Sequence, residues 1–428
     1  MFRNLRPGLQ VPREQKAAAG PRRSPLPRTS ARNACEQAPE RTKKTFENFD
    51  VSRTLDSHPR DLTSSGEAEH RSPRRRLALV KFSYAMLPDY PLAESLESIR
   101  LADELGFHAC YAADETWHKD LWLLFAAAAG RTDRIRLGPS VSPVTLREPT
   151  LLAQALATLD ELSGGRAEGV LSSGNFGLLA QYRIDWTGTR PLSRVKEALH
   201  VMRTFLDEGA ITYEGEFFSY DGLFTFARPV QDRLPLKLGA MRGPKSFEAA
   251  GELSDGCHHA LSYTREAYDY AVRHIRAGAE RAGKDWRSLD IGAWVVFATG
   301  PDSATAKEAA RSMVGIYASS MPEEQVRRNG VDPAELKPVV DAIGAGDLAR
   351  GIELTTPEIA ERLSVAGTPE ECREKIERDI APSGVNHMIC AITDRALVRA
   401  FTGRDLPGAA DVNTQLRLVA ERVMPGFE

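Results

Sequence analysis

The sequence predicts a closed barrel of eight parallel β-strands, each connected to the next through an α-helix, and two observations support this. From residue 77 onwards, short β-rich runs alternate with amphipathic helical stretches, which is typical of parallel βαβ units. Eight such units fit into about 340 residues, and no G-x-G-x-x-G turn follows the first strand, which disfavours an open dinucleotide-binding sheet. In such a barrel, functional residues lie where strands run into the loops that follow them.

The first four units begin with strands predicted at residues 77–83, 108–113, 135–141 and 167–171. The helices that follow them are predicted at 92–105, 121–129, 149–162 and 191–206. The first helix has an apolar stripe that ends at Gly106, and the third ends at Gly164 and Gly165, since glycine favours helix termination. A small hairpin is predicted at 211–218.

The last four strands are predicted at residues 234–240, 256–261, 290–298 and 386–392. Their helices are predicted to begin after Gly243-Pro244, at 266–281, at 303–318 and after Thr368. Thr368 and Glu371 have the spacing of a capping box, with a proline in the first turn. A lid-like insertion with weak periodicity is predicted at 319–356.

Composition places the chain among ordinary globular proteins, because 42% of its 428 residues are hydrophobic and its formal charge is -3. No apolar run approaches the roughly 18 to 20 residues that a membrane span requires. The five cysteines show no C-x-x-C spacing and no disulfide-scaffold density, which indicates reduced thiols. We therefore expect a soluble cytoplasmic protein that does not bind a membrane.

Residues 1–76 are rich in arginine, proline, serine and lysine and poor in large apolar side chains, so we expect a disordered basic leader ahead of a barrel domain at 77–428. Acidic residues such as Glu14, Glu36 and Asp50 argue against an organelle-targeting peptide, and no secretory apolar core is present. A nucleic-acid-binding arm stays open as an alternative. A dispensable tail, or an upstream start that is not the true one, is the interpretation we favour.

The loop after the second strand contains two carboxylates, an indole and an imidazole, from Asp114, Glu115, Trp117 and His118. One interpretation is that Asp114 merely caps the second helix. The tryptophan favours a functional loop, because leaving a large apolar ring in a loop costs free energy unless something stacks on it.

The third strand is interrupted by a glycine and two prolines in the segment 137–143 (LGPSVSP). Such residues form a bulge or direct the backbone towards a ligand, although an ordinary strand end has the same composition. His258 and His259 are adjacent on the sixth predicted strand, so they point to opposite faces and cannot bind one metal ion together. No metal site is predicted.

Three segments carry a resemblance to a known family: 137–143, 156–166 (LATLDELSGGR), and 238–256, which contains LGA, Gly243-Pro244 and AGELSDG. In this order and spacing the chain resembles the bacterial luciferase-like family of flavin- and deazaflavin-dependent oxidoreductases. It is most similar to the deazaflavin-dependent methylenetetrahydromethanopterin reductase branch. The resemblance covers residues 77–392 and implies a TIM barrel of the luciferase-like type.

The resemblance implies a cofactor site at the carboxyl ends of the strands. It implies that Asp114 contacts the cofactor ring system, and that Ser140-Val141 form a bulge with a non-proline cis peptide behind the ring. The Gly-Pro turn before the fifth helix lies by the cofactor phosphate in relatives, which suits a helix amino terminus. The cofactor-binding residues implied in this way are Asp114, Gly138, Ser140, Val141, Gly174, Gly239, Ala240, Arg242, Gly243, Pro244 and Lys245.

The chain departs from the family pattern at two places. Asp114 is followed by Glu115, where many members have histidine, and the acidic residue usual after the fourth strand is replaced by Asn175. An asparagine cannot move a proton at ordinary pH. If the reaction needs an acid or base, Glu115 or His118 must supply it, and imidazole titrates nearer to neutral pH. The predicted catalytic residues are Glu115, His118 and Asn175.

The function implied is hydride transfer between reduced deazaflavin, coenzyme F-420, and a small organic substrate at the carboxyl-end face. The alternative is an FMN-dependent monooxygenase that uses molecular oxygen, which would need a flavin reductase as partner. A weaker alternative is a non-catalytic barrel tethered to nucleic acid by the basic leader, although we regard nucleic acid as a poor fit. A homodimer is compatible with either enzyme.

Overall fold

The computed structural model describes residues 80–87, 90–241 and 243–427. Its strands, in chain order, are β1 (Lys81–Met86), β2 (Ala109–Ala112), β3 (Arg136–Pro143), β4 (Gly169–Ser172), β5 (Ala210–Glu214), β6 (Ser219–Phe224), β7 (Leu236–Ala240), β8 (Gly256–Ala260), β9 (Asp290–Thr299), β10 (Val365–Gly367) and β11 (His387–Ile392).

The helices, in chain order, are α1 (Leu92–Glu104), α2 (Leu121–Ala129), α3 (Pro149–Ser163), α4 (Phe176–Gln181), α5 (Pro191–Glu208), α6 (Pro244–Leu253), α7 (Arg265–Arg281), α8 (Ser303–Ala318), α9 (Glu323–Arg328), α10 (Pro333–Gly344), α11 (Leu348–Leu354), α12 (Pro357–Arg362), α13 (Pro369–Lys375), α14 (Arg395–Thr402) and α15 (Val412–Leu418). Two π-helical segments, Ile376–Ile380 and Val419–Val423, continue α13 and α15.

Eight parallel strands close into a ring in the order β1-β2-β3-β4-β7-β8-β9-β11, and β11 pairs with β1. This confirms the predicted barrel. The antiparallel hairpin of β5 and β6 lies outside the ring. A hairpin was predicted here, but at 211–218, whereas its second strand is at 219–224. β10 adds to the carboxyl end of β9. The observed β1 begins at Lys81, and residues 77–79 of the predicted first strand, like the whole predicted leader, lie outside the described residues.

The segment 319–356, predicted as a weakly periodic lid, is instead largely helical and contains α9, α10 and α11. α10 does bury a helical stripe, formed by Leu336, Val339 and Ile343. The helices on either side of it are too short to show a period, since α9 buries only Gln325 and Val326 and α11 only Gly351 and Ile352. No element was predicted from the sequence at the positions of α4, α12, β10, α14 and α15.

The DELSGGR part of the family-like segment has a structural role. The carboxylate of Asp160 accepts hydrogen bonds from the backbone N–H groups of Val230 and Gln231 at 2.8 and 3.0 Å. The guanidinium of Arg166 donates to four backbone carbonyls, among them those of Ile135 and Ala129. These side chains fix the amino ends of β3 and β4, where they satisfy backbone groups that would otherwise be buried unpaired.

A buried charged network fills the amino-end layer of the barrel interior. Lys237 of β7 donates to Glu168, just before β4, and to Asp290 of β9, both at 2.8 Å. His387 of β11 lies 2.8 Å from Asp290, and Arg136 of β3 donates to Glu168 at 2.8 Å. Five strands are therefore joined by charged hydrogen bonds at the end opposite the predicted site.

The lysine is the centre of this network because it faces two carboxylates. Burial alone would raise the pKa of Glu168, but the charges of Lys237 and Arg136 hold it well below its usual range. Asp290 is likewise buried, and Lys237 and His387 lower its pKa. A carboxyl with a lowered folded-state pKa contributes stability above its unfolded-state pKa, and this contribution is lost as the pH falls.

We expect Lys237→Met to lower the free energy of unfolding by about 3–5 kcal/mol at pH 7, because two buried carboxylates lose their shared cation. The deficit should shrink as the pH falls below about 4, where carboxyl groups take up protons. Urea unfolding at several pH values measures both. Lys337→Met is the control, since Lys337 pairs with Asp341 on the surface with 72% of its side chain exposed, and it should change stability far less. A small, pH-independent loss in Lys237→Met would contradict the expectation.

Candidate active site

Asp114 lies at the end of β2 and binds three side chains around the barrel mouth. Its carboxylate accepts hydrogen bonds from the Ser142 hydroxyl at 2.6 Å and from the Trp122 indole at 3.1 Å. Arg147 forms an ion pair with it at 3.2 Å and lies over the Trp122 ring at 5.1 Å. Asp114 is thus a junction between β2, β3 and α2 and does not cap α2, a role that Asp120 performs.

β3 carries the predicted irregularity at the active face. The register with β4 shifts between Ser140 and Ser142, and the Ser140-Val141 peptide bond is cis, which confirms the geometry that the family resemblance implied. The backbone N–H of Asp114 donates to the carbonyl of Val141 at 3.1 Å. The bulge therefore lies directly beside the Asp114 junction.

Two glycines lie close to the bulge, and neither could be larger without a clash. A Cβ on Gly239 of β7 would lie 2.6 Å from Cγ1 of Val141. Gly174, after β4, has φ +101°, and its Cβ would lie 3.0 Å from Cβ of Pro143. Gly239 therefore accommodates the Val141 side chain of the bulge, and Gly174 adopts a left-handed backbone conformation next to Pro143.

Val141 and Trp294 form a partly exposed apolar floor in the mouth. Both pack on the inner cluster of the barrel, which consists of Ala85, Ala109, Tyr111, Val170, Ile389 and Ala391. Trp294 is the only residue of β9 that is not buried, and its ring lies 5.0 Å from the ring of Tyr317 on α8. We call Val141 and Trp294 the mouth floor.

Glu115 and His118 lie on the same loop, 4.0 Å apart, with side chains only 15% and 13% exposed. Burial raises the pKa of Glu115, the nearby His118 lowers it, and Asp114 raises it further, so that the net direction is upward. The pKa of Tyr317 is also raised, first by burial and then by the charge of Glu115. Glu115 is therefore a carboxyl group that holds its proton more tightly than usual, and it lies close to Tyr317.

Asn175, predicted as catalytic, caps α4. Its side-chain oxygen accepts a hydrogen bond from the backbone N–H of Gly177 at 2.9 Å. The β2 loop contacts the other end of the same helix, because the Trp117 indole donates to Gln181 at 2.8 Å and the Tyr182 hydroxyl to Thr116 at 3.2 Å. The structure thus gives Asn175 a local structural role at the mouth.

Gly138, predicted to bind the cofactor, lies in the middle of β3 below the bulge. A Cβ there would lie 1.7 Å from the carbonyl oxygen of Glu168, so the glycine is required by the close approach of β3 to the chain that enters β4. This contact explains the residue without a ligand.

The predicted phosphate-binding residues lie after β7. Ala240 is buried and its carbonyl lies 3.1 Å from Nδ1 of His259, Gly243 is the N-cap of α6, and Pro244 and Lys245 are exposed in the first turn. Arg242 lies outside the described residues. A Cβ on Gly243 would meet no atom within 4 Å, which leaves open space in front of the helix.

The two adjacent histidines point to opposite sides of β8, as predicted. Nδ1 of His258 lies 3.0 Å from the Ser140 hydroxyl inside the barrel, whereas the His259 ring packs on Phe247 of α6 at 4.7 Å. The helical segment after α8 is fixed to the loop that follows β8, because Gln325 donates to the carbonyl of Leu261 at 2.9 Å.

The sequence analysis did not single out Ser142, Arg147, Trp122 or Trp294 as site residues. Ser142 and Arg147 could have been found from their place in or just after the interrupted segment of β3. Trp294 carried a signal too, since it is a large ring at mid-strand, but sequence alone does not show that it faces the mouth.

Within the described residues, no helix is long and apolar enough to cross a bilayer.

Comparison with known proteins identifies the relatives of this chain. A family model described as luciferase-like monooxygenase matches residues 75–387. The 5,10-methylenetetrahydromethanopterin reductase of Methanolobus tindarius is 30% identical over 311 residues, which cover 72% of this chain and 93% of the relative. The F-420-dependent glucose-6-phosphate dehydrogenase of Gordonia bronchialis is 26% identical over 311 residues, covering 69% of this chain and 86% of the relative.

Among solved structures, the coenzyme F-420-dependent tetrahydromethanopterin reductase from Methanopyrus kandleri superposes with a TM-score of 0.73 and 26% identity. The match covers 82% of this chain and all of that protein. The superposition extends over the closed barrel. The chain belongs to the luciferase-like family and is an oxidoreductase of that family.

Proposed function

We propose that this enzyme transfers hydride between coenzyme F-420 and a small organic substrate at the carboxyl-end mouth of the barrel. The observation that carries the proposal is the bulge of β3, whose Val141 forms a partly exposed apolar floor with Trp294 beside the Asp114 junction. It is supported by relatives of two activities, a methanopterin reductase and a glucose-6-phosphate dehydrogenase, of which the second is F-420-dependent by name, and by a solved reductase whose cofactor is F-420.

The residues of the mouth fit a flat tricyclic ring. The partly exposed Val141 and Trp294 offer an apolar surface on which a ring gains free energy by leaving water. When bound, the deazaflavin supplies two-electron redox chemistry that no protein side chain provides.

The chain would orient the cofactor through its edge and its tail. Asp114 pairs with Arg147 and accepts a hydrogen bond from the Ser142 hydroxyl, and a carboxylate with its remaining lone pairs can also take an N–H donor at the ring edge. Gly243 and Lys245, at the start of the ten-residue helix α6, suit an anionic group because helix N–H dipoles and the ammonium are both positive.

Glu115 would hold or release the proton that accompanies hydride transfer to a carbonyl or imine carbon. Its raised pKa keeps the carboxylic acid form available closer to neutral pH than an exposed glutamate would. His118 at 4.0 Å is placed to exchange that proton with solvent. Asn175 caps α4 and its amide does not carry a proton at ordinary pH. Glu115 and His118 would therefore act as the proton-carrying pair.

Cofactor binding by difference spectroscopy tests the proposal. The full chain should bind F-420 at least about tenfold more tightly than FMN, a difference of about 1.4 kcal/mol. Tighter binding of FMN, with oxygen consumption by the reduced complex, would replace the proposal with the monooxygenase. Failure to bind either cofactor would refute both.

Variants at the bulge should weaken F-420 binding. Asp114→Ala removes the acceptor of Ser142 and Arg147, and Gly174→Val places a branched side chain where φ is +101° and Pro143 is adjacent. We expect each to raise the dissociation constant by about tenfold or more. The matched controls are Asp120→Ala, which loses a helix cap on the same loop, and Gly130→Ala, which meets no atom within 4 Å. Unchanged titrations in both bulge variants would place the cofactor elsewhere.

The buried Glu115 predicts a pH-dependent stability difference. A carboxyl whose folded-state pKa is raised above its unfolded value costs stability as the pH rises through the unfolded pKa, until the folded pKa is passed. Glu115→Gln should therefore gain in Tm over the parent as the pH rises from about 4 to 8. His118→Ala removes a group that lowers the pKa of Glu115, so this variant should lose more stability over the same range. A pH-independent Tm difference would show that Glu115 ionises as an ordinary surface carboxylate.

A further inference from the structure

His258 occupies a position between the buried network and the bulge of β3. It is 3% exposed, and its ring meets the edge of the Tyr111 ring at 4.9 Å and that of His387 at 5.6 Å. Its Nδ1 lies 3.0 Å from the Ser140 hydroxyl. The imidazole therefore connects the charged base of the barrel with the first residue of the bulge.

The barrel provides room for this imidazole through a glycine. A Cβ on Gly292 of β9 would lie 2.9 Å from Cδ2 and 3.3 Å from Nε2 of His258. On the other side, His258 of β8 is the register partner of Gly239 of β7, the glycine that clears Val141. His258, which contacts Ser140 of the bulge, and Gly239, which makes room for Val141 of the bulge, are thus side by side on neighbouring strands.

His258, Asp290 and His387 could offer three ligand atoms within 4.8 Å of one another. A metal ion does not suit this place, because the ammonium of Lys237 lies 2.8 Å from Asp290 and that of Lys81 lies 3.3 Å from it. A divalent cation would be repelled by both at short range in a buried region. The cluster is already charge-compensated, so His258 needs a different explanation.

We propose that His258 is a positioning residue of the cofactor site, which holds the Ser140 side chain so that the bulge presents Val141 to the cofactor ring. This rests on the proposed function, since it assumes a ring that packs on the mouth floor. A serine hydroxyl both donates and accepts, so Nδ1 can bond to it in either imidazole tautomer. A displacement of about 1 Å in a binding site weakens binding. One buried hydrogen bond at the first residue of the bulge therefore has a large effect on the affinity for the cofactor.

Within the described residues, the hydrogen bond to Ser140 is the one that orients the His258 ring. Burial, then the charge of Lys237, lowers the pKa of His258 well below its usual value, so the ring is neutral. Among the described residues, none forms a hydrogen bond with its Nε2. The ring therefore makes its one hydrogen bond within the described residues to Ser140, and no second partner competes for its orientation.

A double-mutant cycle on the full chain tests the proposal, with F-420 and FMN as the probes. His258→Leu and Ser140→Ala should each raise the dissociation constant of the bound cofactor by about tenfold, and the double variant should be no weaker than either alone. His258→Asn should restore binding to within about threefold, because the atom attached to Cγ of asparagine takes the place of Nδ1. Rescue by this variant distinguishes positioning from simple packing.

Cys257→Ala is the control for stability. Cys257 is the neighbour of His258 on β8, is fully buried and belongs to the outer core between strands and helices, so its loss lowers Tm without touching Ser140. Its dissociation constant should equal that of the parent. If the parent binds a cofactor but the effects of His258→Leu and Ser140→Ala are additive, or absent, the positioning role is refuted while the proposed function stands. If the parent binds neither cofactor, both are refuted.

Discussion

The ion pairs of Lys237 with Glu168 and Asp290 are the constraint on which the rest of the barrel depends. A buried ammonium between two buried carboxylates is stable only while all three strands keep their register, because a displaced partner would leave an uncompensated charge in the interior. This network occupies the amino-end layer of the barrel, while apolar side chains form the layer above it. Stability and chemistry are thus separated along the barrel axis, with the polar base fixing the strands on which the mouth is built.

The separation is incomplete at one place, because His258 extends from the polar base to the bulge of β3. The bulge needs support from below, since the shift in register between Ser140 and Ser142 leaves Val141 without a pairing partner on β4. Asp114 supplies support from the side through Ser142, and His258 supplies it through Ser140. Each hydroxyl of the bulge therefore has a partner on a different strand, so the bulge is held from both sides.

Sequence patterns predicted the fold well because a strand–helix alternation repeated eight times leaves few architectures, and the interruption of β3 identified the mouth. The structural surroundings of single residues are harder to read from such patterns. Gly138 and Gly239 lie in similar contexts, yet the first clears a backbone carbonyl in mid-strand and the second clears Val141 at the mouth. Asn175 follows β4 as expected but caps α4. For the two glycines, the difference depends on which neighbour a Cβ would meet, and this neighbour lies about 30 residues away for Gly138 and about 100 for Gly239, beyond the reach of local patterns.

The mouth floor favours a flat ring, but an apolar surface makes no contact that depends on a single ring atom. Deazaflavin and flavin rings would gain the same free energy from Val141 and Trp294, which explains why one fold can serve both kinds of cofactor. Selection between them must come from the tails, at the loop between β7 and α6. Among the described residues of that loop and the first turn of α6, Lys245 is an exposed cation at a helix amino terminus, where ionic contacts are individually weak and screened by salt. In the proposed enzyme, the ring site thus sets how tightly a cofactor is held, and the tail site sets which one is held.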